Sequence, residues 1–356
     1  MYNGLSGKSG SDFGEGLPYI TYKSIFDRCK IDLSRIEYVK ITDKELQEGL
    51  QNKVKKGDIF FTTSSETPDE VGMASVLLDE IENCFLNSFC FGYRLNSFKE
   101  VYPNFMQFYL RSNIVRKKLF ILAQGSTRFN ISKNEVGKMN IKLPALPEQK
   151  KISLLLETIE SRIETQIRVI EDLQTLKKAI STKVFTEIKG CNSERLGNLC
   201  SITTGKLDAN AMSDEGEYMF FTCSKENYKT DTFVFDGEAL LIAGNGEIGS
   251  VKYYNGKFNA YQRTYVLQNF SANIKYLQFY IEHHLPKRVL KEKNVGAMPY
   301  IVLSTLADMP ILLPSENKQN NIAKALQVIE NKIYVEYSVL DQYKQQKLFL
   351  LQQMFI

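Results

Sequence analysis

Two long stretches of this chain carry apolar residues at alternating steps of three and four, which is the spacing that holds one face of a helix against a partner. The first runs through Ile152, Leu156, Ile159, Ile163, Gln166, Ile170, Leu173, Lys177, Ile180 and Val184. The second is the same series 170 residues on: Ile322, Leu326, Ile329, Ile333, Glu336, Leu340, Tyr343, Lys347, Leu350 and Met354. The polar interruptions fall at the same two places in both series. Pro147-Glu148-Gln149 suits a helix start and Gly190 a stop, so the spacing predicts long helices over 147–189 and 315–356. The expected seam is Ile152, Leu156, Ile159, Ile163, Ile170 and Leu173 against Ile322, Leu326, Ile329, Ile333, Leu340 and Tyr343. The link after the first helix is short, so the second is expected to return along it, antiparallel, with one domain at each end. A domain-swapped dimer satisfies the same pattern.

Before each helix, short apolar or aromatic runs alternate with Gly, Asn and Ser turns, as at Asp58–Thr62, Asn87–Tyr93 and Phe258–Tyr261. These read as strands, with one helix at about 104–119 and a twin at about 275–290. This part of the chain is also written twice. FMQFYL at 105–110 returns as YLQFYI at 276–281, MNIKLP at 139–144 as MPILLP at 309–314, and GDIFF at 57–61 as GEALL at 237–241. Asn3-Gly4 falls on Thr204-Gly205. The predicted organisation is therefore a mixed α/β domain at 1–146, a helix, a second such domain at 190–314, and a helix. The fold class is α+β and pseudo-two-fold symmetric. Arg195–Ser201 precedes the part that matches Met1 and has no counterpart in the first half. The first domain is expected to lack its opening strand, or to receive it from another chain.

Composition adds little to this. A formal charge of +4 permits a polyanionic partner without requiring one. The cysteines (Cys29, Cys84, Cys90, Cys191, Cys200, Cys223) include no C-x-x-C pair and there are two histidines, His283 and His284, so no zinc-ligand spacing is present. Reduced thiols suit the cytoplasm. No run approaches the ~20 apolar residues that span a bilayer, and the polar, Gly/Ser-rich start is no secretory signal.

Enzyme signatures are missing. There is no Pro-Pro for an Asn/Asp-Pro-Pro-aromatic methyltransferase tetrapeptide and no Gly-x-x-x-x-Gly-Lys-Ser/Thr phosphate loop. Gly244–Gly249 fits Gly-x-Gly-x-x-Gly but leads into Ser-Val-Lys-Tyr-Tyr, a strand rather than the helix that a dinucleotide site needs. It reads as a hairpin turn.

The order of domain, helix, domain, helix, with GDIFF at 57–61, GSTRFNI at 125–131 and LPALPEQ at 143–149, resembles the specificity subunit of type I restriction–modification systems. The second copy departs from it, with GAMPY at 296–300 and a looser helix start at 313–318. The resemblance implies that each α/β domain is a target recognition domain reading one half of a split site in double-stranded DNA. It implies that the helices set the gap and dock two methyltransferase subunits, and that restriction subunits join the complex. S-adenosylmethionine and ATP with magnesium would serve those other subunits, and this chain would bind no cofactor or metal, touch no membrane and catalyse nothing. The contrasting reading is a coiled-coil scaffold bearing two domains for non-DNA ligands. The repeat and helices alone allow it, and the motifs and paired basic runs argue against it.

Lys and Arg neutralise phosphates and polar side chains read base edges. The basic runs that end the short helices are Arg111, Arg116, Lys117 and Lys118 in the first half and Lys287, Arg288, Lys291 and Lys293 in the second. Candidates for base reading are Thr62, Thr63, Ser64 and Ser65, with Asn245 at the equivalent place of the second half, the loop Ser126, Thr127 and Arg128, and Tyr261, Gln262 and Arg263. Lys8, Lys23, Lys206 and Lys225 lie in corresponding opening segments. His283 and His284 carry no expected role.

Overall fold

A computed structural model describes residues 1–48, 52–292 and 300–355. The chain forms two compact units, Met1–Thr165 with Leu340–Ile356, and Gln166–Val339. Each takes an α/β part and a stretch from each of two long helices, Leu146–Glu187 and Glu316–Met354. Lys293 and the 296–299 part of GAMPY lie outside the described residues. Among the described residues no helix is long and apolar enough to cross a membrane.

The sequence repeat is a repeat of topology. Unit 1 has a four-stranded antiparallel sheet in the order Tyr2–Asn3, Cys90–Tyr93, Ile59–Thr62, Ala74–Val76. Unit 2 has Ser201–Thr204, Thr264–Gln268, Glu238–Ala243, Val251–Asn255 in the same order. Each unit adds a three-stranded sheet with one antiparallel and one parallel neighbour. In unit 1, Phe13–Ile20 pairs with Glu37–Val39 and Phe85–Leu86. In unit 2, Tyr218–Phe221 pairs with Tyr228–Thr230 and Phe258–Ala260. The central strands are buried on both faces, which explains the unbroken apolar runs Ile59-Phe60-Phe61 and Leu240-Leu241-Ile242. Gly57 and Gly237 open these strands with φ of 86° and 92°, a left-handed backbone that a side chain would strain.

The helix expected over 104–119 is two helices, Pro103–Tyr109 and Asn113–Leu122. The break sits at Arg111, whose guanidinium turns inward to the carbonyls of Ile25, Phe26, Arg28 and Ala74 at 2.5–3.0 Å. Its twin is a single helix, Ile274–Glu292, which passes Pro286 without ending. Gly244–Gly249 is the turn between Glu238–Ala243 and Val251–Asn255, closed by Ala243 N–H to the Ser250 carbonyl at 3.1 Å.

Within unit 1, Leu156, Ile159 and Ile163 are buried, Ile152 and Tyr343 half-buried, and Leu340 buried. Lys347 bonds Glu160, and Arg162 lies over the Tyr343 ring at 6.0 Å, so the two helical segments run antiparallel there. Within unit 2, Ile170, Ile322 and Leu326 are buried and Leu173, Ile329 and Ile333 half-buried. There Gln166 donates to both the carboxylate and the backbone carbonyl of Glu336, and Lys177 bonds Glu330 at 2.8 Å and Glu282 at 3.0 Å. The polar interruptions of the two stripes thus have specific partners. Lys177–Glu330 and Lys347–Glu160 are the same pair, one in each unit.

The glutamine of the helix start is also explained. Gln149 is fully buried, accepts from Tyr102 N–H at 2.8 Å and donates to the Glu100 and Pro144 carbonyls, both at 2.8 Å. Gln319 takes the same place in unit 2, accepting from Asn273 N–H at 3.3 Å and donating to the Pro314 carbonyl at 2.9 Å. Each stitches a long helix to its α/β part.

Candidate nucleic-acid interface

In unit 1 the strand Ser64–Ser65 pairs with Phe129–Asn130, which brings the 62–65 segment beside the 125–128 loop. Gln124 and Asn130 exchange backbone bonds across the base of that loop at 2.8–2.9 Å. Gly125, at φ 134°, lets the chain turn where a Cβ would stand 2.2 Å from the Arg128 carbonyl oxygen. The loop tip Ser126, Thr127 and Arg128 is exposed. Arg128 donates to Ser64 Oγ at 3.3 Å and lies 5.7 Å over the exposed Phe89 ring, which leaves most of its guanidinium edge facing solvent. Lys133 reaches Asn3 Oδ1 at 2.8 Å. Phe89 joins this cluster without having been singled out in the sequence, because Thr63, in the segment paired beside the loop, bonds its carbonyl.

Several residues expected at the interface are turned elsewhere. Thr62 is fully buried and accepts from Met73 N–H at 3.0 Å; Ser64 and Ser65 are buried as well, so of that run only Thr63 is partly exposed, and its hydroxyl is held by the Phe89 carbonyl at 2.8 Å. The strand Ser64–Ser65 is buried and pairs with Phe129–Asn130 beside the exposed 126–128 loop. Arg116 sends its guanidinium to the carbonyls of Asp69, Val71 and Gly72 at 2.5–2.9 Å, so it braces a loop and is no free phosphate ligand. Burial accordingly presses its pKa below the ordinary value. Lys118 caps the Asn140 carbonyl at 2.5 Å, and Lys8 is paired with Glu45 at 2.6 Å with its side chain 8% exposed. Lys117 and Lys23 are exposed; Lys23 stands at the rim of a shallow, mixed-charge cavity with Arg28, Asp32 and Arg35.

Unit 2 gathers its candidates more tightly. Thr204, Gly244, Asn245, Gln262, Arg263 and Tyr300 line one open cavity of about 390 Å³. Gly205 approaches the Ala260 and Tyr261 carbonyls so closely that a Cβ would sit 1.9 Å from the first oxygen. That approach sets exposed Lys206 beside Tyr261. The turn at Gln262-Arg263 is fixed by Gln262 N–H to the Leu207 carbonyl at 2.9 Å and by Gly244 N–H to the Arg263 carbonyl at 3.0 Å, which leaves both side chains exposed. The neighbouring loop at 223–227 is wrapped around the Lys252 ammonium, which donates to the carbonyls of Ser224, Lys225 and Glu226 at 3.0–3.3 Å and to Asn227 Oδ1 at 2.9 Å. Exposed Lys225 rides on it, 3.7 Å from Glu247. Lys287 and Lys291 are exposed on the helix and Arg288 is half-buried. His283 and His284 pack on Phe185 with ring centroids at 5.5 and 5.9 Å.

Both clusters are polar and basic loop surfaces on buried antiparallel sheets, at equivalent places in the two units, and their side chains differ. Among the described residues no group of His, Cys, Asp and Glu is arranged to hold a metal ion.

Comparison with known proteins follows this division. The family model described as type I restriction modification DNA specificity domain matches twice, at residues 8–172 and 189–342. The EcoDI type I restriction enzyme specificity subunit of Escherichia coli is 37% identical over 150 residues, 42% of this chain. That match spans about a third of the E. coli protein, 33% of its length. A putative MjaX specificity subunit of Methanocaldococcus jannaschii is 22% identical over 97% of this chain and 87% of its own. Among solved structures, the S subunit of a type I system from M. genitalium superposes with a TM-score of 0.62 at 17% identity, covering 99% of this chain and 92% of that one.

Proposed function

The chain belongs to the type I restriction–modification DNA specificity family, the non-catalytic DNA-recognition component of these systems, and from that premise we infer that it reads a split DNA site through its two α/β units. The observation that carries this reading is the pair of equivalent loop clusters. In unit 1 exposed Ser126 and Thr127 adjoin Arg128, which stands over Phe89; in unit 2 Asn245, Gln262 and Arg263 border one cavity. An arginine that presents a free guanidinium edge suits guanine O6 and N7, and a glutamine or asparagine amide suits adenine. The architecture is common and the reading groups differ, so the two half-sites differ in sequence. Lys117, Lys206, Lys225, Lys287 and Lys291 supply the exposed charge for phosphates.

In this reading the long helices set the gap between half-sites and carry methyltransferase subunits, which bring S-adenosylmethionine to an adenine. Restriction subunits bring ATP-dependent cleavage. This chain supplies the address. The test is methylome sequencing of cells carrying the cognate methyltransferase subunit with and without this chain. A bipartite adenine-methylated motif that appears only with the chain is expected. The same motif without the chain, or co-purifying subunits that methylate no defined motif, would remove the reading.

A further inference from the structure

The turn that leads into the strand Cys90–Tyr93 has the same build as the turn that leads into Thr264–Gln268. In unit 1, Cys90 N–H closes on the Asn87 carbonyl at 3.0 Å, Thr63 N–H on the Phe89 carbonyl at 2.9 Å, and Ile131 N–H on the Thr63 carbonyl at 2.9 Å. In unit 2, Thr264 N–H closes on the Tyr261 carbonyl at 2.8 Å, Gly244 N–H on the Arg263 carbonyl at 3.0 Å, and Ile301 N–H on the Gly244 carbonyl at 2.9 Å. Asn87 forms a parallel bridge with Leu5, and Tyr261 forms one with Leu207. Burial repeats as well: Asn87 and Tyr261 are half-buried, the next two residues exposed, and Cys90 and Thr264 buried. These bonds put Phe89 at the backbone position that Arg263 holds in unit 2.

Single exposed aromatics are common and need no role. Phe89 is set apart by its base and by what lies on it. Its ring is 54% exposed, while its N–H donates to Asn87 Oδ1 at 2.8 Å and its carbonyl also accepts from the Thr63 hydroxyl at 2.8 Å. The ring therefore stands on a fixed turn. Arg128 reaches it from the 125–128 loop, with its guanidinium carbon 5.7 Å from the ring centre and one nitrogen 3.3 Å from Ser64 Oγ. A guanidinium within about 6 Å of a ring centre is attracted to the aromatic face. An arginine held there before DNA arrives has less freedom to lose on binding. Unit 2 thus carries an arginine on the turn itself, and unit 1 brings one to the turn from a second loop.

The next step rests on the reading of these clusters as base-reading surfaces. We propose that Phe89 is the positioning residue for Arg128, and that residue 89 in unit 1, like residue 263 in unit 2, decides where an arginine meets its base. Phe89 acts through Arg128. The ring limits the swing of the guanidinium and Ser64 holds one nitrogen, which leaves the other donors for guanine O6 and N7. Without the ring the charge remains but its direction is lost, so selectivity at one base pair falls while attraction to phosphates persists.

The test is methylation by the chain assembled with its cognate methyltransferase subunits, on duplexes in which each base pair of the split site is varied in turn. Arg128→Ala marks the guanine through a loss of selectivity of roughly 5–150-fold at one base pair. Phe89→Leu should lower selectivity at that base pair alone by about 2–5-fold, with the half-site of unit 2 and the thermal midpoint unchanged. Phe89→Tyr should keep the original selectivity, because the aromatic face is retained. Phe89→Arg combined with Arg128→Ala places an arginine where Arg263 stands, and should regain a guanine preference in that half-site by about tenfold over Arg128→Ala alone. Selectivity of Phe89→Leu equal to that of the unaltered chain overturns the proposal, as does a uniform loss over all duplexes. A double variant without guanine preference overturns the equivalence of residues 89 and 263. An unaltered complex that methylates no split motif would instead remove the reading of the clusters on which the proposal rests.

Discussion

At the scale of single residues, the distinction that matters is between basic side chains that face solvent and those that hold the protein together. Arg116 and Lys117 are adjacent in sequence and opposite in role. Arg116→Gln removes donors from three carbonyls and should destabilise unit 1 by about 1–3 kcal/mol in urea unfolding. Lys117→Ala should leave stability unchanged and lower the salt dependence of DNA binding by about one phosphate's worth of counterion release, a log–log slope smaller by ~0.9. The reverse pattern would exchange their roles. Arg263→Ala should relax one position of the half-site read by unit 2, at roughly 1–3 kcal/mol, and leave the other half-site intact. Relaxation in both half-sites, or in neither, would remove Arg263 from base reading. The sequence showed which residue types could meet DNA, and not which way they turn. Thr62–Ser65 looked like a polar loop, yet Thr62 ends one buried strand and Ser64–Ser65 forms another, whose pairing with Phe129–Asn130 spans 64 and 66 residues and leaves no local trace. Gln149 and Gln319 did leave one, since they recur 170 residues apart, yet a glutamine near a helix start reads as surface until its buried partners are seen.

Elements were more legible than residues. The long helices were clear because their period persists over about forty positions, and the repeat implied that the two halves carry the same order of segments. The break at Arg111 was not legible, because the carbonyls that draw its guanidinium inward belong to another part of the chain. Within the helical stretches, Lys177 is the informative position. Burial pushes its ammonium downward, but the Glu282 and Glu330 carboxylates outweigh that and hold it above its ordinary value. A paired polar position in an apolar seam fixes register, because a slip strands a charge. Lys177→Met should therefore cost roughly 1–3 kcal/mol, between the values for exposed and fully buried pairs, and chemical unfolding read on unit 2 tests it. An unchanged midpoint would make the pair incidental. On the helix facing this pair, His284 packs against Tyr280, His283 and Phe185, with Lys287 a turn away. Burial, then the nearby His283 and Lys287, push its pKa down to about 4. The unfolded state, titrating near 6.5, then binds the extra proton first. Stability should fall as pH drops from about 6.5 toward 4, and His284→Phe should flatten that part of the profile. Thermal midpoints across this range check it; parallel curves for the two proteins would rule the histidine out as the cause.

For the whole molecule, a specificity reading asks the helices to act as a length. The first long helix is one continuous element from Leu146 to Glu187 and the second from Glu316 to Met354, so both units are joined through helical backbone. A helix rises ~1.5 Å per residue, and duplex DNA ~3.4 Å per base pair along one strand. Seven residues inserted into each helix preserve the heptad phase of the seam and add ~10 Å, the length of about three base pairs. Inserting four in one helix near 165–175 also lengthens the connection but disturbs the seam. The matched seven-residue insertion should therefore yield a methylated motif with both half-sites unchanged and a gap longer by about three. Placing one insertion in each helix between the Lys177–Glu330 and Lys347–Glu160 pairs keeps both pairs in register, so a loss of activity cannot be blamed on a stranded charge. If the methylome shows the original gap, the distance between half-sites is set by something other than these helices, and their role reduces to carrying partner subunits. If one half-site alone disappears, the insertion has disturbed the unit that reads it, and the two readouts together separate spacing from recognition.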